Sequence, residues 1–384
     1  MSRPTVRLLT VGLAFVLTVG VFGGGGVAAS NPSDNGRLVY SERVVDSESG
    51  LRDPTVWVGS EIYTMNSDGS EVRQLTFGGV PAPGSPPGAS ATESHTPAWS
   101  PAGDTIAYVH HDEEGATSIR LMDPDGTHLR TVTDDFYTIW DLVWSPDGAR
   151  LAFTGWGDDA AGERRNGLWV IDIDGSNPRL VLPESDNNVT GLSGIREIDW
   201  SPDGALIAFT AYSNPERRDG IIHVVDPSGA GPGTVDCGPT PLVDPSWHQT
   251  LSYEPTWSPD GRVLYCTSGW VAADGAYQSG LDIWFVDIDD GSHRGQLTTF
   301  GPQTSAYMPT VAPDGTTLLF VTEEETIPGL WNLDPLARIG DFSGLELDWQ
   351  PLHGPFWDDE DSMFLPDIEW IAAEGITTGC NPPT

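Results

Sequence analysis

Side chains that could bind or catalyse recur at one place in this sequence, a few residues before each of several similar Trp-Ser-Pro segments. The set combines carboxylates, aromatic rings, one histidine and one arginine: Glu93, His95, Trp140, Asp141, Arg196, Glu197, Tyr253, Glu254 and Tyr307. Such a mixture suits a cationic peptide, or a sugar ring stacked on an aromatic side chain. The same residues could instead serve packing and loops, so the binding ring is a hypothesis.

No motif of a familiar catalytic centre accompanies these residues. The segment from Gly191 to Ile195 has the serine of a nucleophile elbow but lacks its second glycine. Zinc-protease, phosphate-loop and dinucleotide-binding motifs are also absent. His95 and His248 lack the fixed spacing of a metal site, and residues 110–114 (HHDEE) are typical of a solvated charged run. We predict no catalytic residue, no metal site and no cofactor.

The charge of the chain excludes one class of partner. Its 384 residues include 18 Lys or Arg and 56 Asp or Glu, a formal net charge of −38, and every base is arginine. Nucleic-acid binders need a basic surface that releases counterions from phosphate, so nucleic acid is excluded. The same acidity repels anionic lipid headgroups and anionic wall polymers.

The first 29 residues have the pattern of a signal peptide. Arg3 and Arg7 precede an apolar run over residues 8–22, and Val27-Ala28-Ala29 supplies small residues before a cleavage site. A membrane anchor is the alternative, but the run is shorter than the roughly 20 residues that a spanning helix needs. We predict an exported mature chain without a transmembrane segment.

The body of the chain is a repeat. WSPAG begins at Trp99, WSPDG at Trp144, Trp200 and Trp257, and VAPDG at Val311, with starts 45, 56, 57 and 54 residues apart. Each copy is followed by a β-rich run, by a strand that closes in an Asp-Gly or Pro-Asp-Gly turn, and by a last short strand. Each unit therefore predicts a four-stranded antiparallel meander, and the series predicts a β-propeller.

The number of units depends on how the ends of the chain meet. Five Trp-type first strands are evident, but there are six sets of later strands, and the first set (residues 37–42, 61–66 and 72–77) has no first strand before it. Residues 347–351 (LDWQP) match the missing strand. Docking beside residues 37–42 would close the ring and leave no open edge. We predict an all-β, six-bladed propeller over residues 36–354; five blades with a stray hairpin, or seven blades, are the alternatives.

These repeats resemble the propeller repeat of the TolB family, which also occurs in the propeller domains of prolyl-oligopeptidase-type enzymes. The resemblance rests on the Trp-Ser-Pro-Asp-Gly strand, the Ile-Tyr-type strand at Ile62 and the Asp-Gly-Ser turn, and it covers about residues 36–354. TolB is a periplasmic partner of an outer-membrane lipoprotein and carries an amino-terminal α/β domain. Only residues 30–35 separate the predicted cleavage site from the first strand, so we expect no such domain here.

Residues 355–384 resemble the front half of an S-layer-homology-type repeat of actinobacteria. The resemblance rests on FWDD at 356–359 and on DIEWIAAEGITTGCNPP at 367–383, and it implies association with the cell wall. Phe364, Ile368 and Ile371 share one face of a predicted short helix, which Gly375 would cap. The module stops before its second half, so we expect a truncated sequence whose missing repeats would bind a cell-wall polymer.

Of the three cysteines, Cys380 belongs to the S-layer-like segment. The other two lie near the end of the fourth unit and in the second strand of the fifth. Cys237 and Cys266 could face each other across two units as a disulfide, which an exported protein permits, or could be buried thiols.

Together these observations predict a secreted or cell-wall-associated propeller. We expect it to act as a non-catalytic binding or scaffold module for a peptide, protein or glycan at the mouth of its central channel. The alternatives are a lyase or hydrolase that degrades polysaccharide or peptide, and the propeller part of a longer, truncated enzyme. Strongly perturbed carboxylates beside His95 would favour an enzyme.

Overall fold

The computed structural model describes residues 36–45, 57–78, 92–184, 193–212, 220–238, 247–272, 280–291, 293–300, 304–323, 329–333, 336–342 and 344–351. These residues form strands and turns, and they contain no helix. Accordingly, none of their segments is a helix long and apolar enough to cross a membrane. The predicted signal peptide, the predicted carboxyl-terminal helix and the S-layer-like segment lie outside the described residues.

The described strands form six four-stranded antiparallel sheets, which are the blades of a propeller. The first blade contains β1 (Arg37–Val45), β2 (Trp57–Asn66), β3 (Arg73–Gln74) and the last strand of the chain, β24 (Leu345–Trp349). The second contains β4 (Glu93–Trp99), β5 (Ile106–His111), β6 (Thr117–Met122) and β7 (Arg130–Thr133). The third contains β8 (Thr138–Trp144), β9 (Arg150–Asp158), β10 (Arg164–Asp172) and β11 (Arg179–Pro183).

The remaining three blades repeat this plan. The fourth contains β12 (Ser193–Trp200), β13 (Ile207–Tyr212), β14 (Gly220–Val225) and β15 (Gly233–Val235). The fifth contains β16 (Trp247–Trp257), β17 (Val263–Ala272), β18 (Asp282–Asp287) and β19 (Arg294–Gln296). The sixth contains β20 (Ser305–Val311), β21 (Leu318–Glu323), β22 (Gly329–Asn332) and β23 (Ala337–Asp341).

The two ends of the repeat close the ring, as predicted from the unpaired first set of strands. β24 pairs with β1, with Leu38 opposite Trp349 and Val39 opposite Asp348. The innermost strands β4, β8, β12, β16, β20 and β24 then contact one another in ring order. The six-bladed architecture is therefore confirmed, and the innermost strands surround a central channel.

The Trp-Ser-Pro-Asp-Gly segment makes the turn from the innermost strand to the second strand. In the third blade, the Ser145 main chain donates to the carbonyl of Arg150, and the Ser145 hydroxyl lies 2.5 Å from Asp147 Oδ1. Gly148 takes a φ of 66°, which a residue with a Cβ rarely adopts. The same bonds recur around Ser201 and Ser258, so the motif is explained by turn chemistry.

The tryptophan of each motif packs against the preceding blade. Trp144 lies in one apolar cluster with Ala107, Val109 and Leu121 of the second blade, and its indole N–H donates to the carbonyl of Ala98 at 3.0 Å. The other motif tryptophans occupy corresponding clusters between adjacent sheets. Burial of these side chains holds neighbouring blades together and fixes the width of the channel.

A disulfide joins the fourth and fifth blades. Cys237 follows β15 and Cys266 lies in β17; their Cα atoms are 6.4 Å apart and both residues are buried.

Candidate functional site: the central channel

One position is equivalent in all six innermost strands, three residues before the tryptophan or its counterpart Val311. Its occupants are Thr96, Asp141, Glu197, Glu254, Met308 and Glu346. All except Asp141 have a φ between 52° and 57°. The main chain of a non-glycine residue rarely adopts this conformation, so its recurrence here marks a shared constraint. At the same position, the pairing between the innermost and second strands shifts in register in the second, fourth, fifth and sixth blades.

Carboxylates at this position bind the main chain of the next blade. Glu346 accepts the N–H of Thr96 at 2.5 Å, Glu197 accepts the N–H of Glu254 at 2.9 Å, and Glu254 accepts the N–H of Met308 at 2.6 Å. The carboxylate of Asp141 likewise accepts the N–H of Glu197. We call these four side chains, Asp141, Glu197, Glu254 and Glu346, the carboxylate girdle. The N–H groups that these carboxylates accept belong to Thr96, Glu197, Glu254 and Met308, which all have a positive φ. The girdle thereby connects adjacent blades inside the channel.

A second tier of carboxylates lies one residue before the tryptophan. Asp348 accepts the N–H of Trp99 at 2.7 Å, and Asp199 accepts the N–H of Trp257 at 2.8 Å. Their other oxygens accept the N–H of their own tryptophans, Trp349 and Trp200, at 2.9 Å. The first and fourth blades thus share the tetrapeptide Glu-x-Asp-Trp, and in a six-membered ring these two blades lie opposite each other.

Two cavities occupy the channel. The larger, about 600 Å³, extends from the girdle to the turns at the far ends of the innermost strands, where Pro101, Pro146, Pro202 and Pro351 line it. We call it the proline-side cavity. The smaller, about 350 Å³, lies at the near ends of β4 and β8 and contains His95 and His111. We call it the histidine-side cavity. Glu346 lines both cavities, so it lies between them.

The proline-side cavity contains a strong excess of acidic groups. Its charged lining consists of one arginine, Arg196, and the six acids Asp141, Glu197, Asp199, Glu254, Glu346 and Asp348. All six carboxyl residues are half-buried. Burial raises the pKa of Asp199 to about 6 and that of Asp348 to about 7, with Asp199 adding to the rise at Asp348. Burial also raises the pKa of each girdle residue; the charge of Glu254 adds to the rise at Glu197.

Arg196 is held at the edge of this cavity. Its guanidinium lies 3.9 Å from the ring centroid of Trp140, and its Nη1 donates to the carbonyl of Ile195 at 2.6 Å. The same Nη1 is 3.5 Å from Glu184 Oε1. These contacts orient the guanidinium towards the third blade. The charge of Arg43, which lines the histidine-side cavity, acts on the first-blade carboxylate Glu346, but none of the described ion pairs includes Glu346 or Asp348.

Two histidines form a hydrogen-bonded pair in the histidine-side cavity. The Nε2 atoms of His95 and His111 are 3.0 Å apart and their rings are stacked with centroids 5.2 Å apart. Their Nδ1 atoms bond to the hydroxyls of Thr96 and Thr117, at 2.7 and 2.9 Å. Burial lowers the pKa of both rings to about 4, so both are neutral near pH 7. Glu93 lines the same cavity, and burial raises its pKa.

The residues expected to form one binding ring are divided between these cavities. Glu93, His95 and Trp140 line the histidine-side cavity, and Asp141, Arg196, Glu197 and Glu254 line the proline-side cavity. Tyr253 and Tyr307 line neither of the two. The ring of Tyr253 lies 6.2 Å from that of Tyr212, and Tyr307 packs against an apolar cluster between the sixth and first blades. The side chain of His248 lies outside the described residues.

Several channel residues do not belong to the ring predicted from the sequence. His111 lies in the run predicted to be solvated, but it ends β5 and bonds to His95. Asp199, Glu346 and Asp348 line the proline-side cavity without being part of that prediction. The signal was present in the sequence, since Glu197–Trp200 (EIDW) and Glu346–Trp349 (ELDW) repeat one motif at equivalent positions. No three His, Cys, Asp or Glu residues converge as a metal site within the described part of the chain.

Comparisons with known proteins agree on the fold. No family model matches the chain. Over 109 residues it is 34% identical to the Tol-Pal system protein TolB of Gluconobacter oxydans, which is 28% of this chain and 22% of that protein. It is 24% identical over 318 residues to dipeptidyl-peptidase 5 of Porphyromonas gingivalis, covering 71% of this chain and 42% of that protein. The chain thus spans about a fifth of the TolB relative and less than half of the peptidase.

Solved TolB structures resemble the whole propeller. TolB from Acinetobacter baumannii superposes with a TM-score of 0.56 at 18% identity, covering 83% of this chain and 67% of that chain. A TolB-type protein from Agrobacterium tumefaciens gives 0.52 at 16% identity, covering 83% and 91%. The fold and these matches define a TolB-like six-bladed propeller.

Proposed function

We propose that this protein is an extracytoplasmic propeller that acts as a non-catalytic binding or scaffold module, holding a segment of a peptide, protein or glycan in its central channel. The observation that carries the proposal is the proline-side cavity, about 600 Å³ in volume and lined by carboxylates, tryptophans and prolines. Concave sites of this size with a few convergent polar groups are the usual form of ligand sites. The girdle bonds and the packed tryptophans preorganise this one, which lowers the entropy lost on binding.

Three features support the extracytoplasmic location. The amino-terminal pattern is that of a signal peptide, the repeat resembles that of TolB proteins, and Cys237 and Cys266 form a disulfide. The S-layer-like segment supports association with the cell wall.

The binding role is tested with a phage-displayed peptide library and a glycan array, both applied to the purified protein. Bound ligands should lose affinity when Asp141→Asn in the third blade and Glu254→Gln in the fifth blade change carboxylates that line the proline-side cavity. Trp156→Ala is the control, because Trp156 belongs to the third blade, is 41% exposed and lines neither cavity. Failure of both libraries to enrich a ligand, or binding that is insensitive to the channel variants, would overturn the proposal.

A second candidate is a lyase or hydrolase that acts on polysaccharide or peptide, alone or as the propeller part of a longer enzyme. The histidine-side cavity favours it, because two neutral imidazoles lie beside a carboxyl group whose pKa is raised by burial. Incubation with neutral polysaccharides, polyuronides and casein peptides, followed by assays for reducing ends, unsaturated products and new amino groups, tests it. Product formation that His95→Gln abolishes would establish this function in place of the first.

A further inference from the structure

We propose that the proline-side cavity binds an organic cation, a guanidinium or primary ammonium group carried by a basic peptide or by a polyamine. This assignment deepens the proposed binding function and rests on it. The ligand carries an organic cation, and the two carboxylates that face this cation from opposite blades are those of Asp199 and Asp348.

The first argument is the distribution of charge. The lining holds six carboxyl groups and one guanidinium, and that guanidinium stacks on Trp140 and contacts Glu184. None of the six acids forms an ion pair within 4.0 Å among the described residues. Attraction between charges is stronger in a partly desolvated cavity than in bulk water, so a cation placed here would gain more than at the surface.

The second argument is the placement of Asp199 and Asp348. Each accepts two main-chain N–H groups, and Asp199 also accepts a hydrogen bond from the Thr256 side chain. A carboxylate has about four lone-pair directions. Acceptor capacity therefore remains on both side chains, which are half-buried and line the cavity. Because their blades are three apart in a ring of six, the two carboxylates approach a ligand on the channel axis from opposite sides.

The third argument is independent of the acids and concerns two tryptophans. Trp99 and Trp349 line the same cavity and are each 3% exposed, and neither indole N–H has an acceptor among the described residues. The equivalent indoles of Trp144 and Trp200 donate to main-chain carbonyls at 3.0 and 3.2 Å, and that of Trp257 lacks an acceptor but does not line the cavity. A buried donor without an acceptor is unfavourable, so these two sites favour a ligand that brings oxygen acceptors.

These arguments together describe a ligand with a cationic head and nearby carbonyl oxygens. An arginine or lysine side chain within a peptide has both, whereas a free polyamine has only the cation. We therefore expect the peptide to bind more tightly than the polyamine.

Binding of a cation should also release protons from the cavity. The titratable groups of the lining are the six acids and Arg196. From outside the lining, His95 and Tyr212 interact electrostatically with Asp141, and Arg43 and Glu93 interact with Glu346. Burial raises the pKa of Asp348 to about 7 and that of Glu197 to about 8, so part of this set is protonated near pH 6.5. A bound cation favours the ionised form and displaces those protons.

Isothermal titration calorimetry at pH 6.5 tests the proposal, using the full chain and three probes. The probes are the blocked peptide Gly-Arg-Gly, the same peptide with neutral citrulline in place of arginine, and agmatine. We expect the arginine peptide to bind at least about tenfold more tightly than the citrulline peptide. Titrations in phosphate and in the zwitterionic buffer ACES, which both buffer at pH 6.5 but differ in ionisation enthalpy, should show net proton release.

Asp199→Asn and Asp348→Asn keep the shape of the side chains and should each weaken the arginine peptide about tenfold or more. The matched control is Asp282→Asn. Asp282 is a buried acid whose pKa burial raises to about 6, but it bonds to Thr298 and Phe300 of the fifth blade and does not line the cavity. Binding by the control should change less than about twofold, because Asp282 shares no contact with the cavity and effects of such separated sites are nearly independent.

Each outcome decides between sources or overturns the site. Agmatine that binds as tightly as the peptide assigns the site to a polyamine and supports the cation. Equal binding of the arginine and citrulline peptides, no binding of any probe, or unchanged binding by both Asn variants would overturn the proposal. If library-selected ligands still bind in the channel and agmatine does not compete, only this inference fails and the proposed binding function stands.

Discussion

The carboxylate of Asp348 accepts the main-chain N–H of Trp99 at 2.7 Å, and this bond joins residues that are 249 positions apart in the chain. Asp348 belongs to the strand that closes the ring, and Trp99 begins the first complete Trp-type turn. One side chain therefore serves two roles, because it fixes the closing strand to the second blade and lines the cavity assigned to the ligand. The opposite pair, Asp199 and Trp257, repeats the arrangement.

Loss of this acceptor should destabilise the ring. Asp348→Ala removes the partner of two main-chain N–H groups, those of Trp99 and Trp349, and each unsatisfied buried donor costs about 1–3 kcal/mol. Asp348→Asn retains one acceptor and should lose less. Urea unfolding followed by tryptophan fluorescence measures the difference, and an Ala variant as stable as the Asn variant would contradict the structural role.

Asp348 and Asp199 should make stability fall as pH rises. Their folded pKa values, about 7 and about 6, lie above the ordinary value of 3.8. A raised carboxyl pKa contributes stability that is fully present below the unfolded pKa and is lost as pH increases through the folded pKa. The buried histidines have the opposite sign, because the pKa of His95 and of His111 is lowered to about 4 from 6.5. Their contribution is present above pH 6.5 and is lost on acidification.

A comparison between two proteins separates these opposing effects. The free energy of unfolding of the wild type minus that of Asp348→Asn should decrease between pH 5 and pH 8, because only the wild type loses the Asp348 contribution. Urea titrations of both proteins at one-unit pH steps measure this difference. A difference that increases with pH would show that the pKa of Asp348 is lowered in the folded protein.

The disulfide should stabilise the junction of the fourth and fifth blades. Cys237 and Cys266 enclose a loop with a separation of 29 residues, and closing such a loop in the unfolded chain is worth about 3–4 kcal/mol in the chain-entropy account. We expect the double variant Cys237→Ala with Cys266→Ala to lose stability of that order. Unfolding of the wild type with and without a reductant provides the comparison, and coincident urea transitions would contradict it.

The paired histidines should titrate far below the ordinary range. His95 and His111 share a hydrogen bond between their Nε2 atoms, and protonation of both rings would break it. Their ring proton shifts in NMR spectra should therefore move near pH 4. His111→Gln, which removes the partner ring, identifies the His95 signal, and a midpoint near 6.5 in the wild type would contradict the burial of this pair.

Export should remove the amino-terminal segment. Cleavage after Ala29 leaves a chain that begins at Ser30, and Ser30 should be the first residue found by amino-terminal sequencing of the native protein. Its intact mass also reports any sequence beyond Thr384, including further S-layer-type repeats. A native chain that retains Arg3 and Arg7 would instead indicate a membrane anchor.

Most of the fold could be read from local signals in the sequence. Trp144-Ser145-Pro146 and its copies combine an apolar wedge with a turn, and both properties act within a few residues of the chain. Even the closing strand was evident, because Trp349 and Pro351 keep the spacing of the motif. Three of the six acids of the proline-side cavity could also be identified from the sequence, because Asp141, Glu197 and Glu254 precede their tryptophans at one spacing.

The division of the channel into two cavities could not be predicted from local signals in the sequence. Glu346 lies between the cavities because its side chain reaches Thr96, 250 residues earlier, and nothing local indicates that contact. Tyr253 and Tyr307 match the ring in sequence, but packing directs them elsewhere. His111 pairs with His95 because β5 returns beside β4, which turns a charged run into part of a cavity.

The sequence by itself determined that this chain forms repeated four-stranded sheets and which tryptophans lie at the turn after the innermost strands. It favoured six sheets over five or seven, and the pairing of β24 with β1 decided the number. These features follow from periodicity and turn chemistry, which act over a few residues. Only the tertiary structure decided which carboxylates meet, which of them stay half-buried and how far burial raises their pKa values. Desolvation and hydrogen bonding between blades depend on groups that are distant in sequence and become neighbours only when the ring closes.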